Sequence, residues 1–282
     1  MNMHPISLLI ISCFLFSMLA ALIKFLSDFI DPIQQSFFRN FLSVIILLPL
    51  ILKQKFFVKS KSSFRLLALR AFFGGITMVL LFKAYSLIPL SQAMAISFST
   101  PLFMYFGSIL FLDEKVDPFK TFLLLIGFIL TLIIIRPDIK IETGSLLALI
   151  SAFTHACAGL LVKKISYKEN VLTLMFSMVL IMTPITFIPS IYVWEFPNSF
   201  FIIFMLLSIA IVATLGNFFW TKAISLSTLT NLMPFDFTKL IFATLLGFIF
   251  FNEKIDKITT SCGVGLIICN TLIMNRVKNE NS

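Results

Sequence analysis

Asp236 and Lys239 stand three residues apart within the otherwise apolar stretch Leu226–Phe251. That spacing puts both side chains on one face of a helix. Pro234, just ahead of them, brings no N–H and leaves a carbonyl free at the same level. A charge inside such a stretch costs about 2.5–3.5 kcal/mol on insertion scales, so it asks for a function. One reading has the pair contacting a zwitterionic or charged solute, or Asp236 cycling a coupling proton; the other is a structural ion pair that neutralises itself. The stretch Ile88–Leu112 offers Gln92, Ser97, Ser99, Thr100 and Tyr105 around Pro101. These groups suit hydrogen bonds to a polar solute, and its hydroxyls equally suit bonds back to their own helix. His155 has the chemistry of a proton shuttle, and on an apolar helix also that of a satisfied packing residue. Asn217, Trp220 and Tyr85 would form polar and aromatic walls, although Trp220 and Tyr85 lie near stretch ends, where interfacial anchoring explains them too.

Other chemistries find no support. Cys13, Cys157, Cys262 and Cys269 all sit in apolar segments without a CxxC or Cys/His ligand spacing, which reads as buried thiols and not as a metal or disulfide. Asp28-Phe-Ile-Asp31 has D-x-x-D spacing, but no second acidic cluster accompanies it, as a metal-dependent prenyl or phospholipid transferase would need. No G-x-x-x-x-G-K-[ST] loop marks a nucleotide-driven pump. No cofactor is expected, and an enzyme is not.

The elements that must position these residues are membrane spans. The 282 residues are 59% hydrophobic and 12% charged, with a mean hydropathy of +1.03; soluble domains are roughly 45–50% apolar and about 25% charged. A span needs about 20 mostly apolar residues, and ten apolar runs satisfy this: Ile6–Leu26, Ile33–Leu52, Phe64–Phe82, Ile88–Leu112 broken by Pro101, Phe119–Ile135, Gly144–Val162, Val171–Val193, Phe200–Trp220, Leu226–Phe251 broken by Pro234, and Ile258–Met274. Helix is the conformer that satisfies every backbone group in lipid. The first run, without a basic start or a small-residue cleavage signal, is expected to be retained. The net charge of +9 lies between the runs, which argues for positive-inside topology and against nucleic acid. With both termini cytoplasmic, inside segments hold thirteen Lys and Arg and outside segments six, so that orientation is expected. The Lys-, Phe- and Ile-heavy usage points to an AT-rich bacterial genome and hence to the plasma (inner) membrane.

The chain repeats itself. Residues 82–117 and 221–256, laid 139 apart without gaps, agree at twelve of 36 positions, among them Lys83/Lys222, Ser86/Ser225, Glu114/Glu253, Lys115/Lys254 and Asp117/Asp256. These polar matches owe nothing to hydrophobic bias, and Lys24/Lys163 extends the register to the first run of each half. Five spans per half is an odd number, so the second half must enter the membrane from the opposite side. Inverted repeats place a site at the midplane and supply two packings of similar energy, one open to each side. Residues 1–136 and 144–275 are the two units. Glu114 and Glu253, recurring at helix ends, suggest a packing or capping role.

A Lys-Ala-x-Ser-Leu start, a proline-broken helix and an apolar run ending in Asp/Asn-Glu-Lys, once per half, resemble the EamA-type members of the drug/metabolite transporter superfamily. Phe38-Arg39 resembles that family's aromatic–Arg signature. The resemblance covers Ile6 to Met274. It implies an all-α integral membrane fold of ten transmembrane helices as two inverted five-helix EamA-like repeats. It also implies a central cavity lined by the fourth and ninth spans with parts of the first, third, sixth and eighth. Lys239 replaces the first half's Thr100, and Asp236 its Ser97, so the halves' contributions differ. Arg39 and Arg70 are expected to be structural, with Arg39 pairing across helices or with a loop carboxylate. The expected function is secondary transport of a small polar organic metabolite by alternating access, for instance an amino acid or a derivative such as S-adenosylmethionine, which the resemblance implies as one substrate. Alternatives are a drug or metabolite exporter of the same family, an intramembrane enzyme, or a passive channel or partner-binding subunit. The partners are the solute and the bilayer, with a proton as the candidate coupling ion. Oligomeric state is not read from the sequence.

Overall fold

The computed structural model describes residues 4–53, 61–87, 96–135, 143–251 and 257–280, and among these every regular element is helical. In chain order they are α1 (Pro5–Leu26), α2 (Pro32–Lys53), α3 (Lys61–Leu87), α4 (Thr100–Leu112), α5 (Pro118–Ile135), α6 (Thr143–Ser166), α7 (Val171–Ser190), α8 (Phe200–Leu226), α9 (Leu229–Asp236), α10 (Thr238–Phe251) and α11 (Lys257–Glu280). A 3₁₀ turn, Ile191–Val193, follows α7.

Local chemistry sets the starts. Pro5, Pro32 and Pro118 open their helices, where the missing N–H costs nothing. Asp31 Oδ1 accepts from Ile33 N at 2.8 Å, Asn170 Oδ1 from Thr173 N at 2.8 Å and Asp117 Oδ1 from Phe119 N at 2.9 Å. Each satisfies an orphan donor of a first turn. Asp31 and Asn170 are 139 apart, and α2, α3 and α5 begin 139 residues before α7, α8 and α11. The C-terminus of α4 closes on Asp113 with φ 56°, the left-handed conformation an aspartate tolerates.

Seven described segments are long and apolar enough to cross a membrane: Pro5–Leu26, Pro32–Lys53, Ser63–Leu81, Thr143–Ser166, Val171–Val193, Phe200–Leu226 and Leu229–Phe250. Thr100–Leu112 and Pro118–Ile133 are shorter apolar helices. The fourth apolar run is short here because residues 88–95 lie outside the described part.

Helices pair across the two halves of the chain. α1 packs on α8 and α10, while α6 packs on α3 and α4; α2 lies on α7 and α5 on α11. Small residues allow the close approaches: a Cβ on Gly107 would lie 2.5 Å from Leu160 Cδ1, and one on Gly159 would lie 2.4 Å from Met104 Cε. One buried cluster joins α1, α4, α5, α6, α8, α9, α10 and α11 through Leu9, Tyr105, Leu124, Ala156, Trp220, Phe235, Leu240 and Leu266. Outward faces carry Phe14, Phe41, Leu110, Phe122, Phe153, Phe204 and Ile268, all exposed, which is sensible only against lipid.

Candidate substrate cavity

Two helix breaks frame the site. The chain turns at Phe98–Ser99, immediately before α4, and again at Phe237, between α9 and α10. These positions are equivalent at the 139-residue offset, and their rings face each other with centroids 6.1 Å apart. Pro101 sits in the first turn of α4, where it removes no helical bond. Pro234 lies inside α9, and the helix ends two residues beyond it. The prolines therefore flank the breaks, and the Phe98/Phe237 level is where the chain turns.

The cavity at this level measures about 190 Å³ and is lined by Thr77, Leu81, Ser97, Phe98, Thr100, Met104, Ser151, Ala152, His155, Trp220, Asp236 and Lys239. Asp236 closes α9 and Lys239 is the second residue of α10, so the pair spans the break. Lys239 Nζ lies 2.6 Å from Asp236 Oδ1 and donates to Oδ2 at 2.8 Å, holding both carboxylate oxygens. Asp236 is buried at 7% exposure. The ammonium also stands over the Phe16 ring, 5.5 Å from its centroid, a cation–π arrangement. α1 braces the break from behind: Ser17 Oγ donates to the Lys239 carbonyl at 2.8 Å, and Cys13 Sγ lies 4.0 Å from Asp236 Oδ1.

The facing wall is mixed. The His155 and Trp220 rings meet edge to face, 6.1 Å apart. Thr77 and Thr154 hydroxyls, 2.8 Å apart, tie α3 to α6, and Thr100 Oγ1 donates to the Ala152 carbonyl at 3.3 Å. The result is an apolar and aromatic pocket with one dense charge pair and scattered hydroxyls, the usual make-up of a small-molecule site.

Of the residues singled out in the sequence, Asp236, Lys239, Ser97, Thr100, His155 and Trp220 come together here. Tyr105 does not: its hydroxyl meets Thr121 Oγ1 at 2.7 Å, between α4 and α5. Asn217 Nδ2 donates to the Ala213 carbonyl of its own helix at 2.8 Å. Gln92 and the Tyr85 side chain lie outside the described residues. Thr77, Leu81, Met104, Ser151 and Ala152 were not singled out. Small and hydroxyl residues on the third and sixth spans, which the resemblance places beside the cavity, are the signal that would have found Thr77 and Ser151.

Glu114 acts as the cap expected of it: Oε1 accepts from Leu229 N at 2.9 Å and Oε2 from Thr230 N at 2.8 Å, closing the start of α9. Its repeat equivalent, Glu253, lies outside the described residues. Lys163 Nζ performs the converse service for α8, donating to the carbonyls of Ile224 at 3.0 Å and Ser227 at 2.7 Å.

Comparisons agree on the class of molecule. A sequence profile described as the EamA-like transporter family matches residues 3–136 and again 142–276. The pseudopaline exporter CntI of Pseudomonas aeruginosa is 26% identical over 276 residues, covering 96% of this chain and 95% of the relative. The S-adenosylmethionine uptake transporter of Rickettsia prowazekii is 27% identical over 261 residues, 89% of this chain and 85% of the relative. The riboflavin transporter of Vibrio cholerae is 30% identical over 166 residues, covering 58% and 56%. A solved crystal structure superposes with a TM-score of 0.79 at 14% identity, over 97% of this chain and 98% of that one, a likeness of fold.

Proposed function

We propose that this chain, which belongs to the EamA-like transporter family, is a secondary transporter that carries a small polar organic metabolite across the bacterial plasma membrane by alternating access. In this reading ten spans form two inverted five-helix repeats, residues 1–136 and 144–275, with both termini cytoplasmic and the cavity where the halves meet. The observation that carries the proposal is the Asp236–Lys239 pair, with both carboxylate oxygens engaged, opening onto the cavity at the break between α9 and α10. A buried pair of this kind gives little net stability, because desolvation offsets attraction; its use is to exchange partners. A solute bearing both a cation and a carboxylate inserts between the two side chains and satisfies each. An amino acid, or an amino-acid derivative such as the S-adenosylmethionine that one relative is named for, has that chemistry. A proton is the candidate coupling ion, with Asp236 its carrier.

The test is saturable uptake into vesicles, using labelled amino acids and S-adenosylmethionine with and without a proton gradient. Asp236→Asn and Lys239→Gln are each expected to lower kcat/KM at least about ten-fold, the scale of one charge-assisted contact. Unchanged uptake of every accepted solute in both variants sinks the pair as the site. Export is the second reading, favoured by the relative named as an exporter; faster transport in inside-out than in right-side-out vesicles establishes it.

A further inference from the structure

The span interiors hold a surplus of positive charge. More than five residues from either end, the described spans carry Arg39, Arg70 and Lys239 against Asp236, three cations to one carboxylate. Lys239 is matched by Asp236. Arg70 is buried at 2% exposure and donates Nη1 to the Leu174 carbonyl, a structural tie from α3 to α7. Arg39 has neither arrangement. Its Nη1 lies 3.4 Å from Met78 Sδ, and among the described residues no carboxylate, carbonyl or hydroxyl oxygen accepts from it. Of the two partners expected from the sequence, the contact is the one across helices, from α2 to α3; among the described residues no loop carboxylate pairs with it.

A thioether is a weak acceptor, whereas a guanidinium offers five donors in a fork matched to a carboxylate. A cation left without a strong acceptor at this depth is costly. Around it, Asn40 is fully buried, gives Nδ2 to Thr186 Oγ1 at 3.3 Å and to Met78 Sδ at 3.8 Å, and has an Oδ1 without a partner. Arg39 itself is only part-buried, seven residues into α2. Met78 is the chain neighbour of Thr77, which lines the cavity, so the Arg39 guanidinium lies one residue along α3 from the cavity wall.

We propose that Arg39 is a carboxylate-binding site on the α2–α3 flank of the cavity, so that the cargo supplies the counter-ion the protein lacks there. The carboxylate docks bidentately on the guanidinium fork, displacing the sulfur contact, while the Asp236–Lys239 pair receives the cargo's other polar groups. This deepens the transporter reading and rests on it for the cargo. It favours solutes with a carboxylate, and above all those with more carboxylates than cationic groups, over neutral or purely cationic ones.

The test uses the full chain in detergent micelles, following the melting temperature against succinate and citrate, with succinamide and sodium chloride at matched ionic strength as controls. The wild type is expected to rise saturably in Tm with the two carboxylates and not with the controls, and Arg39→Gln to bind them at least about ten-fold more weakly. Arg39→Lys, which keeps the charge and loses the fork, is expected to fall between. Equal stabilisation by succinamide, no stabilisation of the wild type, or an undiminished carboxylate response in Arg39→Gln overturns the proposal. If Arg39→Gln does not fold, an unchanged preference of Arg39→Lys for succinate over succinamide overturns it instead. The outcome is separate from that of the vesicle experiment. Loss of carboxylate stabilisation in Arg39→Gln, together with normal uptake in the Asp236 and Lys239 variants, removes the pair and keeps Arg39; the reverse pattern does the opposite.

Discussion

Polar side chains in this bundle divide by whether a neighbour already satisfies them. Tyr105 is fully buried, and its hydroxyl is spent on Thr121 Oγ1 at 2.7 Å. Tyr105→Phe is therefore expected to cost about 0.5–1.5 kcal/mol of stability, the net value of one hydrogen bond, with KM for any transported solute unchanged. A raised KM in this variant, with its Tm held, would move Tyr105 back among solute contacts. The sequence could separate these cases only where charge was involved. Asp236 and Lys239 stood out because no apolar stretch carries charge without cause. Hydroxyls such as Thr100, Tyr105 and Ser97 look alike in sequence, since a helix carbonyl or a neighbouring helix can absorb any of them. Asn217 shows the same ambiguity, its amide donating to Ala213 one turn back. Arg39, in the aromatic–Arg pair, reads in sequence as a structural residue that pairs across helices or with a loop carboxylate; the contact with Met78 Sδ is a matter of packing that no spacing rule encodes.

At the scale of elements, the breaks at Phe98–Ser99 and Phe237 do more than end helices. Each interrupts the regular helix where the two halves' fourth segments approach; Ser17 braces the second break at the Lys239 carbonyl, while Glu114 caps the opposite end of α9. Prolines made the breaks visible in sequence, but the turns fall two to three residues from them, because Pro101 fits a first helical turn while Pro234 is carried within α9. The contact between α4 and α6 was not legible at all, since glycine spacing alone names no partner. It has a functional consequence. A methyl on Gly159 would sit 2.4 Å from Met104 Cε and 3.5 Å from Trp220 Cη2, and both side chains line the cavity. Met104 is flexible, so Gly159→Ala is expected to fold with a Tm near that of the wild type while Met104 shifts and reshapes the cavity. Vesicle uptake should show a several-fold higher KM with little change in maximal rate. An unaltered KM would mean that Met104 moves away from the cavity or plays no part in it.

For the whole molecule, the governing relation is that the most extensive helix pairings run across the halves: α1 with α8 and α10, α6 with α3 and α4, α2 with α7, α5 with α11. Sequence self-similarity at 139 residues supplied the period, and the starts of α2, α3 and α5 recur at that period in α7, α8 and α11; which helix touches which depended on three-dimensional packing. Such crosswise pairing would tie any movement of one half to the other, as the proposed alternating access requires. Topology is the sharpest check on that mechanism. The proposed topology, five spans per half from a cytoplasmic start, would put both chain ends inside, the loop 113–117 inside and the loop 194–198 outside. In a variant stripped of its four native cysteines, a thiol introduced at Lys115 is then expected to react with an impermeant maleimide only in inside-out vesicles. One at Pro197 should react only in intact cells, and tags on both chain ends should be reached only from the cytoplasm. Tags reached from opposite faces would make the span count odd, leave the halves without inverted parity, and take alternating access down with it, whatever the cavity binds.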